Sequence, residues 1–179
     1  LAMDMGAKTQ FSATEAGNAM TELAKGGLTE ADIKGGALKA TMDLAASSGM
    51  ELGDAANTVV QAMGGFGLTA KDSAQAVNAL AGAAAASSTD VGPLADALSQ
   101  CAAQAHTAGW SIQDTTAVLG AFADAGITGS DAGTSLKTML QRLGAPTDKA
   151  AAAMKKYGIN IWDSNGHMKD ASGVADELK

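Results

Sequence analysis

Apolar residues recur at helical spacing along most of the chain. Ala16, Met20, Leu23 and Ala24 share one helix face, as do Val77, Leu80, Ala81 and Ala84, and again Val118, Leu119, Phe122 and Ala123. Each run is short, and the break that ends it is itself repeated. Three places read glycine, large apolar residue, Ser or Thr, two further residues, then Asp. They are Gly27–Leu28–Thr29 with Asp32, Gly67–Leu68–Thr69 with Asp72, and Gly109–Trp110–Ser111 with Asp114. Phe11–Ser12 with Glu15 has the same form without the glycine, and Gly49–Met50–Glu51 with Asp54 and Gly126–Ile127–Thr128 are looser copies.

Each position in this corner has a physical role. Glycine just past a helix takes the left-handed conformation without steric cost. The apolar residue packs back on the helix that has ended and also staples the next one, as Leu28 would against Ile33. The hydroxyl accepts from free N–H groups of the new helix, and the acid three residues on closes a capping box at the positive helix end. Asp is shorter than the preferred Glu, which predicts weaker boxes.

Helix starts fall near Ser12, Thr29, Glu51, Thr69, Ser111, Thr128 and Thr147, mostly about 17 to 22 residues apart. The long gap after Thr69 is broken by Ser87–Ser88–Thr89–Asp90, with Pro93 tolerable in a first turn, and Pro146 marks the break before Thr147. The pattern predicts an all-α fold, a repeat-like array of about eight short helices over 1–158. After that the signal changes. Ile159–Asn160–Ile161–Trp162 alternates and Asn165–Gly166 is a hairpin turn pair, which predicts a small C-terminal β-hairpin over 159–169. A further helix starts at Ser172. A hairpin alone is marginal, so 159–179 should pack on the same domain through Ile161 or Trp162.

Composition changes this picture in three ways. The 179 residues are 46% hydrophobic, but with only three Phe, two Trp and one Tyr, and alanine and glycine fill much of the rest. Small side chains let helices approach closely while contributing little burial energy each. Twelve basic residues face nineteen acidic ones, a net charge of -7, with no basic stripe of the kind that grips phosphates. No apolar run nears the roughly 18 residues of a membrane span, and no signal peptide is visible. The chain starts at Leu1 and stops mid-pattern at Asp176–Glu177–Leu178–Lys179, which reads as a piece of a longer protein.

Candidate chemistry is sparse. His106 and His167, the two histidines, stand far apart in sequence without nearby Cys ligands, short of a zinc set. Asp163–Ser164–Asn165–Gly166 with Asp170 has a faint calcium-loop character but lacks the spacing and terminal Glu, so a plain turn is the better reading. Cys101, the single cysteine, lies among alanines as a small buried hydrophobe. There is no G-x-S-x-G, and Gly64–Gly65–Phe66–Gly67 closes a helix rather than cradling a phosphate. Nine methionines read as core filling more than as a pliable binding surface. The residues therefore indicate no catalytic residue, cofactor or metal, only structural corners.

Two segments go further. The run from Phe11 to Thr29, and the run from Ala125 through Gly126–Ile127–Thr128 to Thr147, resemble the conserved domain of phage tail tape-measure (minor tail) proteins. Ala62 to Thr69 and Lys155–Lys156–Tyr157–Gly158–Ile159 fit the same order of motifs, although Trp110 stands where an aliphatic residue is expected. The resemblance implies a non-enzymatic virion structural protein, of a phage or prophage. Such a protein nucleates tail-tube assembly, sets tail length and is ejected ahead of DNA. Its partners would be tail-tube protein, tail assembly chaperones and baseplate or tail-tip proteins, with self-association allowed and no specific nucleic acid. It would lie in the lumen of the phage tail, and in the bacterial cytoplasm during assembly. The rival class is a helical-repeat module that grips a peptide on a concave face; an enzyme would need a pocket with perturbed titratable groups.

Overall fold

The computed structural model describes residues 1–179, apart from the side chains of Ala7 and Lys8. The chain is all helical. In order it forms α1 (Ala2–Lys8), α2 (Ala13–Lys25), a single turn α3 (Glu30–Asp32), α4 (Leu38–Ser48), α5 (Leu52–Gly65), α6 (Ser73–Ala86) and α7 (Val91–Thr107). There follow α8 (Ile112–Asp124), α9 (Gly129–Gly144), α10 (Asp148–Tyr157) and α11 (Ala171–Glu177). The stretch between Thr29 and Gly49 is not one helix. A π-helical segment, Ile33–Ala37, joins α3 to α4, and Gly36 inside it has φ 141°. Gly35–Gly36 allows the kink, since a side chain at that φ would be strained.

The helices stack in two rows. One row is α2, α5, α7 and α9; the other is α4, α6 and α8, with α11 at its end. Within a row neighbours run parallel, two elements apart in sequence. Gly65 of α5 abuts Ala102 of α7, and Gly133 of α9 abuts Ala97 of α7. In the other row Gln75 of α6 bonds Gln113 of α8 at 3.3 Å, and the Ser88 N–H after α6 donates to Asp124 at the end of α8, at 2.7 Å. The partners are 36 to 38 residues apart, or two corner intervals, so each repeat is a helix pair.

The core runs between the rows. Leu23, Leu38, Leu44, Leu52, Leu80, Leu119, Leu136 and Leu140 are fully buried, with alanines such as Ala16, Ala55, Ala76 and Ala105 between them. Large and small residues thus alternate, and the small ones set the spacing. A Cβ on Gly133 would overlap the carbonyl of Ala97, so α7 and α9 meet backbone to backbone there.

The β-hairpin expected over 159–169 is absent: no strand occurs among the described residues, only one antiparallel bridge, Trp162 with Met168. Local side chains take the backbone groups that a ladder would use. Asn160 Oδ1 accepts from the Trp162 N–H at 3.1 Å, and Asp163 Oδ1 accepts from Asn165 and His167 at 2.8 and 2.9 Å. Asx turns therefore replace pairing that is marginal for two strands alone. The segment still docks. Ile161, Met168 and Val174 are buried, Trp162 is 37% exposed, and Trp110 Nε1 donates to the Lys169 carbonyl at 2.9 Å. The helix count also exceeds eight, through α1, the α3–α4 break and α11.

The α7–α9 crossing yields a matched pair of tests. Gly133→Ala should destabilise the domain by about 1–3 kcal/mol by overpacking. Gly17→Ala, in a helix with open space at its Cβ position, should be neutral or stabilise by about 0.4–1 kcal/mol. Urea unfolding of the two variants measures the difference, and equal effects would contradict backbone contact at the crossing.

Candidate functional site

The corners are the most ordered chemistry in the molecule. Gly27, Gly67, Gly109 and Gly126 have φ of 92°, 62°, 88° and 86°. After each, the apolar residue's N–H reaches back five residues: Leu28 to Leu23 O at 3.2 Å, Leu68 to Met63 O at 2.8 Å, Trp110 to Ala105 O at 2.9 Å, and Ile127 to Phe122 O at 2.8 Å. The glycine N–H closes the inner bond, as from Gly109 to His106 O at 2.9 Å. This is the Schellman pattern, and it satisfies carbonyls that the ended helix leaves free. Of the apolar residues, Trp110 is buried at 3% exposure, Leu28 and Leu68 are partly buried, and Ile127 is 41% exposed.

The next helix is then capped. Ser111 Oγ accepts from the Asp114 N–H at 3.0 Å while Asp114 accepts from the Ser111 N–H at 3.2 Å. Thr29 with Asp32 and Ser12 with Glu15 form the same reciprocal box. At the fourth, Asp72 accepts from both the N–H and the hydroxyl of Thr69, at 2.9 and 2.7 Å. The short Asp side chain is no handicap, because the cap hydroxyl also donates to it, as from Thr29 at 2.6 Å. The hydrogen bonds from Ser12, Thr29 and Thr69 hold Glu15, Asp32 and Asp72 below the usual carboxylate range. At the looser corners, Glu51 and Thr128 occupy the cap positions without a side-chain cap bond. A further corner, Gly158–Ile159, was not read from the sequence. Gly158 has φ 72° and the Ile159 N–H reaches Met154 O at 2.9 Å. Asn160 follows instead of Ser or Thr, and no helix starts there.

The remaining candidates lie apart. Cys101 is fully buried on α7, and burial pushes its thiol up to about 11, which disfavours the reactive thiolate. His106 packs edge-on to Phe66 with ring centres 6.5 Å apart, at the Gly67 corner. His167 Nδ1 lies 3.9 Å from Asp163 Oδ2 at the exposed 163–167 turn. Asp163 is held below its usual range chiefly by the His167 backbone N–H. Asp170, paired with that turn as a faint calcium loop, instead caps α11 by accepting from Gly173 N–H at 2.7 Å. Among the described residues no three His, Cys, Asp or Glu side chains are grouped to hold a metal ion, and no helix is long and apolar enough to cross a membrane.

Two surface hollows remain. One, about 400 Å³, lies between α6 and α8 and is lined by small residues. The other, about 480 Å³, lies where the C-terminal ends of α7 and α9 meet Trp162, His167 and Met168. Among the described residues no hydroxyl or thiol is hydrogen-bonded to a histidine side chain, so neither hollow is built for nucleophilic chemistry.

The comparisons agree with a structural reading. The family model described as phage-related minor tail protein matches residues 1–179. A "Tape measure protein" of Pneumococcus phage Dp-1 is 37% identical over 167 residues, 93% of this chain and 14% of that protein. A "Probable tape measure protein" of Escherichia phage P2 is 43% identical over 83 residues, 46% of this chain and 10% of that protein. The chain therefore spans a small part of these relatives' length. No solved structure matches significantly.

Two outcomes follow from the corners. Gly109→Val should cost roughly 1 kcal/mol or more, because a β-branched residue is strained at φ 88°; a wild-type melting curve would contradict the left-handed corner. A group whose folded pKa is depressed stabilises above its unfolded value and loses that contribution as pH falls through the folded one. For Glu15, Asp32 and Asp72 the loss should therefore begin near the ordinary carboxylate range of about 4 and grow below it. Melting temperature measured against pH should decline there, and less steeply in a D32N/D72N variant.

Proposed function

The chain belongs to the phage-related minor tail protein family, and from that premise we propose that it is a folded assembly domain of a tape-measure protein. In this reading the whole protein nucleates tail-tube polymerisation, sets tail length and leaves ahead of the DNA. Its partners are tail-tube protein, tail assembly chaperones and baseplate or tail-tip proteins, and it resides in the tail of the virion. The domain itself is structural and performs no catalysis. The family match over the full 179 residues supports the first part.

The observation that carries the assignment of this segment is the corner. A continuous helix of this length would reach roughly 270 Å at about 1.5 Å per residue. Here the longest helix is α7, with 17 residues, or about 25 Å. Left-handed glycines turn the chain back before helices can lengthen, and one shared core holds the turns together. A compact body of this size has a radius of gyration of about 16 Å. It is poorly suited to measure length and well suited to present fixed surfaces. Length would then be measured by other parts of the protein.

Deleting Thr128 to Ala145 from the full-length gene separates the alternatives. An extended ruler predicts viable tails shorter by about 27 Å, from the rise per residue. A folded domain predicts tails of normal length in reduced number, because losing α9 bares the faces of α7 and α8. Electron microscopy of tails gives both length and yield; shortened tails at normal yield would overturn the assembly-domain reading.

A further inference from the structure

Helix α10 stands apart from the stack. It has no buried residue, and its only apolar side chain packed on the core is Met154. Local signals alone account for its being helical. Thr147 caps it, four consecutive alanines favour it, Lys155 and Lys156 suit its negative end, and Gly158 closes it in the left-handed form. Opposite Met154, at positions i, i+3, i+4 and i+7, it presents Lys149, Ala152, Ala153 and Lys156, all exposed.

Charge is segregated around this helix. Residues 137–156 hold five of the twelve basic side chains, Lys137, Arg142, Lys149, Lys155 and Lys156, against one acid, Asp148. That segment is net +4, so the rest of the chain is net -11. Among the described residues Lys25, Lys34, Lys39, Lys169 and Lys179 each pair with a carboxylate, whereas none of these five does. Lys156 lies over the ring of its neighbour Tyr157, at 5.2 Å.

The same chain carries a surface of the opposite kind. In the α6–α8 hollow, Gly82, Ala83 and Ala86 face Ala117, Gly120 and Ala121, with Asp124 at one end and Gln113 at the other. Residues 71–131 around it hold six acids and one base, net -5. A floor of small residues admits another helix only if that helix also presents small residues, as α10 does with Ala152 and Ala153 between two lysines. We propose that α10 of one copy of this chain docks in the α6–α8 groove of a second copy, with its lysines towards the acidic rim. The two surfaces differ, so the contact is head-to-tail and propagates into a ring or a short filament. This inference stands on the fold and charge of the chain and does not require the tail reading.

Sedimentation of the 179-residue chain tests it. Association should rise with protein concentration at about 0.1 M salt and weaken at about 1 M, where screening shortens from about 10 Å to about 3 Å. K149E/K156Q on the helix and A117Q/A121Q in the groove should each raise the dissociation constant about tenfold or more. All four positions are exposed, so circular dichroism and melting temperature should match wild type, which separates lost docking from lost folding. Mixing A152C chains with A117C chains under a mild oxidant should give a cross-linked dimer; Cys101, being buried, does not compete. A wild-type chain that is monomeric at every concentration would overturn the proposal. So would association indifferent to either double variant, or lost in only one. Retardation of duplex DNA by a monomer through Lys149 and Lys156 would assign the patch to phosphate instead.

Discussion

Two helix backbones touching at Gly133 and Ala97 set the terms for the rest of the domain. A chain with few aromatics gains little from each buried side chain, so it must gain from proximity. Proximity requires glycine or alanine at the crossings. It also requires helices that end cleanly, since a frayed end would hold its neighbour away. The left-handed corners supply those ends, and the leucines fill the space that the close crossings leave between rows.

The corner links local chemistry to the superstructure. Leu28, Leu68 and Trp110 each sit where the end of one helix and the start of the next meet the core. Trp110 does more than an aliphatic residue could, because its indole N–H also holds the Lys169 carbonyl and ties the final segment to the third corner. Where the pattern is incomplete the outcome changes. Gly158–Ile159 ends a helix, but without a hydroxyl after it the chain runs on irregularly to Asp170, the next cap.

Much of the helical organisation is legible in the sequence because helix ends are written in a few consecutive residues. The Gly67–Leu68–Thr69 run with Asp72 states a stop, a staple and a start without reference to anything distant. The 159–169 segment misleads for the opposite reason. Its alternation and its Asn–Gly pair are hairpin signals, but Asn160 and Asp163 compete for the same backbone groups and win locally. The kink at Gly36 is hidden because a glycine pair inside a helical pattern does not say which way the chain turns. The pairing of α7 with α9, and the hollow between α6 and α8, depend on which faces meet across 36 to 38 residues. No local rule carries that information.

The two-row stack also has a mechanical consequence. Each helix is held chiefly by its neighbours along and across the rows, and the ends of the stack have fewer of them. Cohesion is therefore distributed as a series of similar, modest links. Tension on the chain termini would peel such a body from its ends, one helix pair after another, instead of requiring the whole core to rupture together. A domain of this kind can be rigid as an assembly platform and still be drawn out as a thread through an opening narrower than itself.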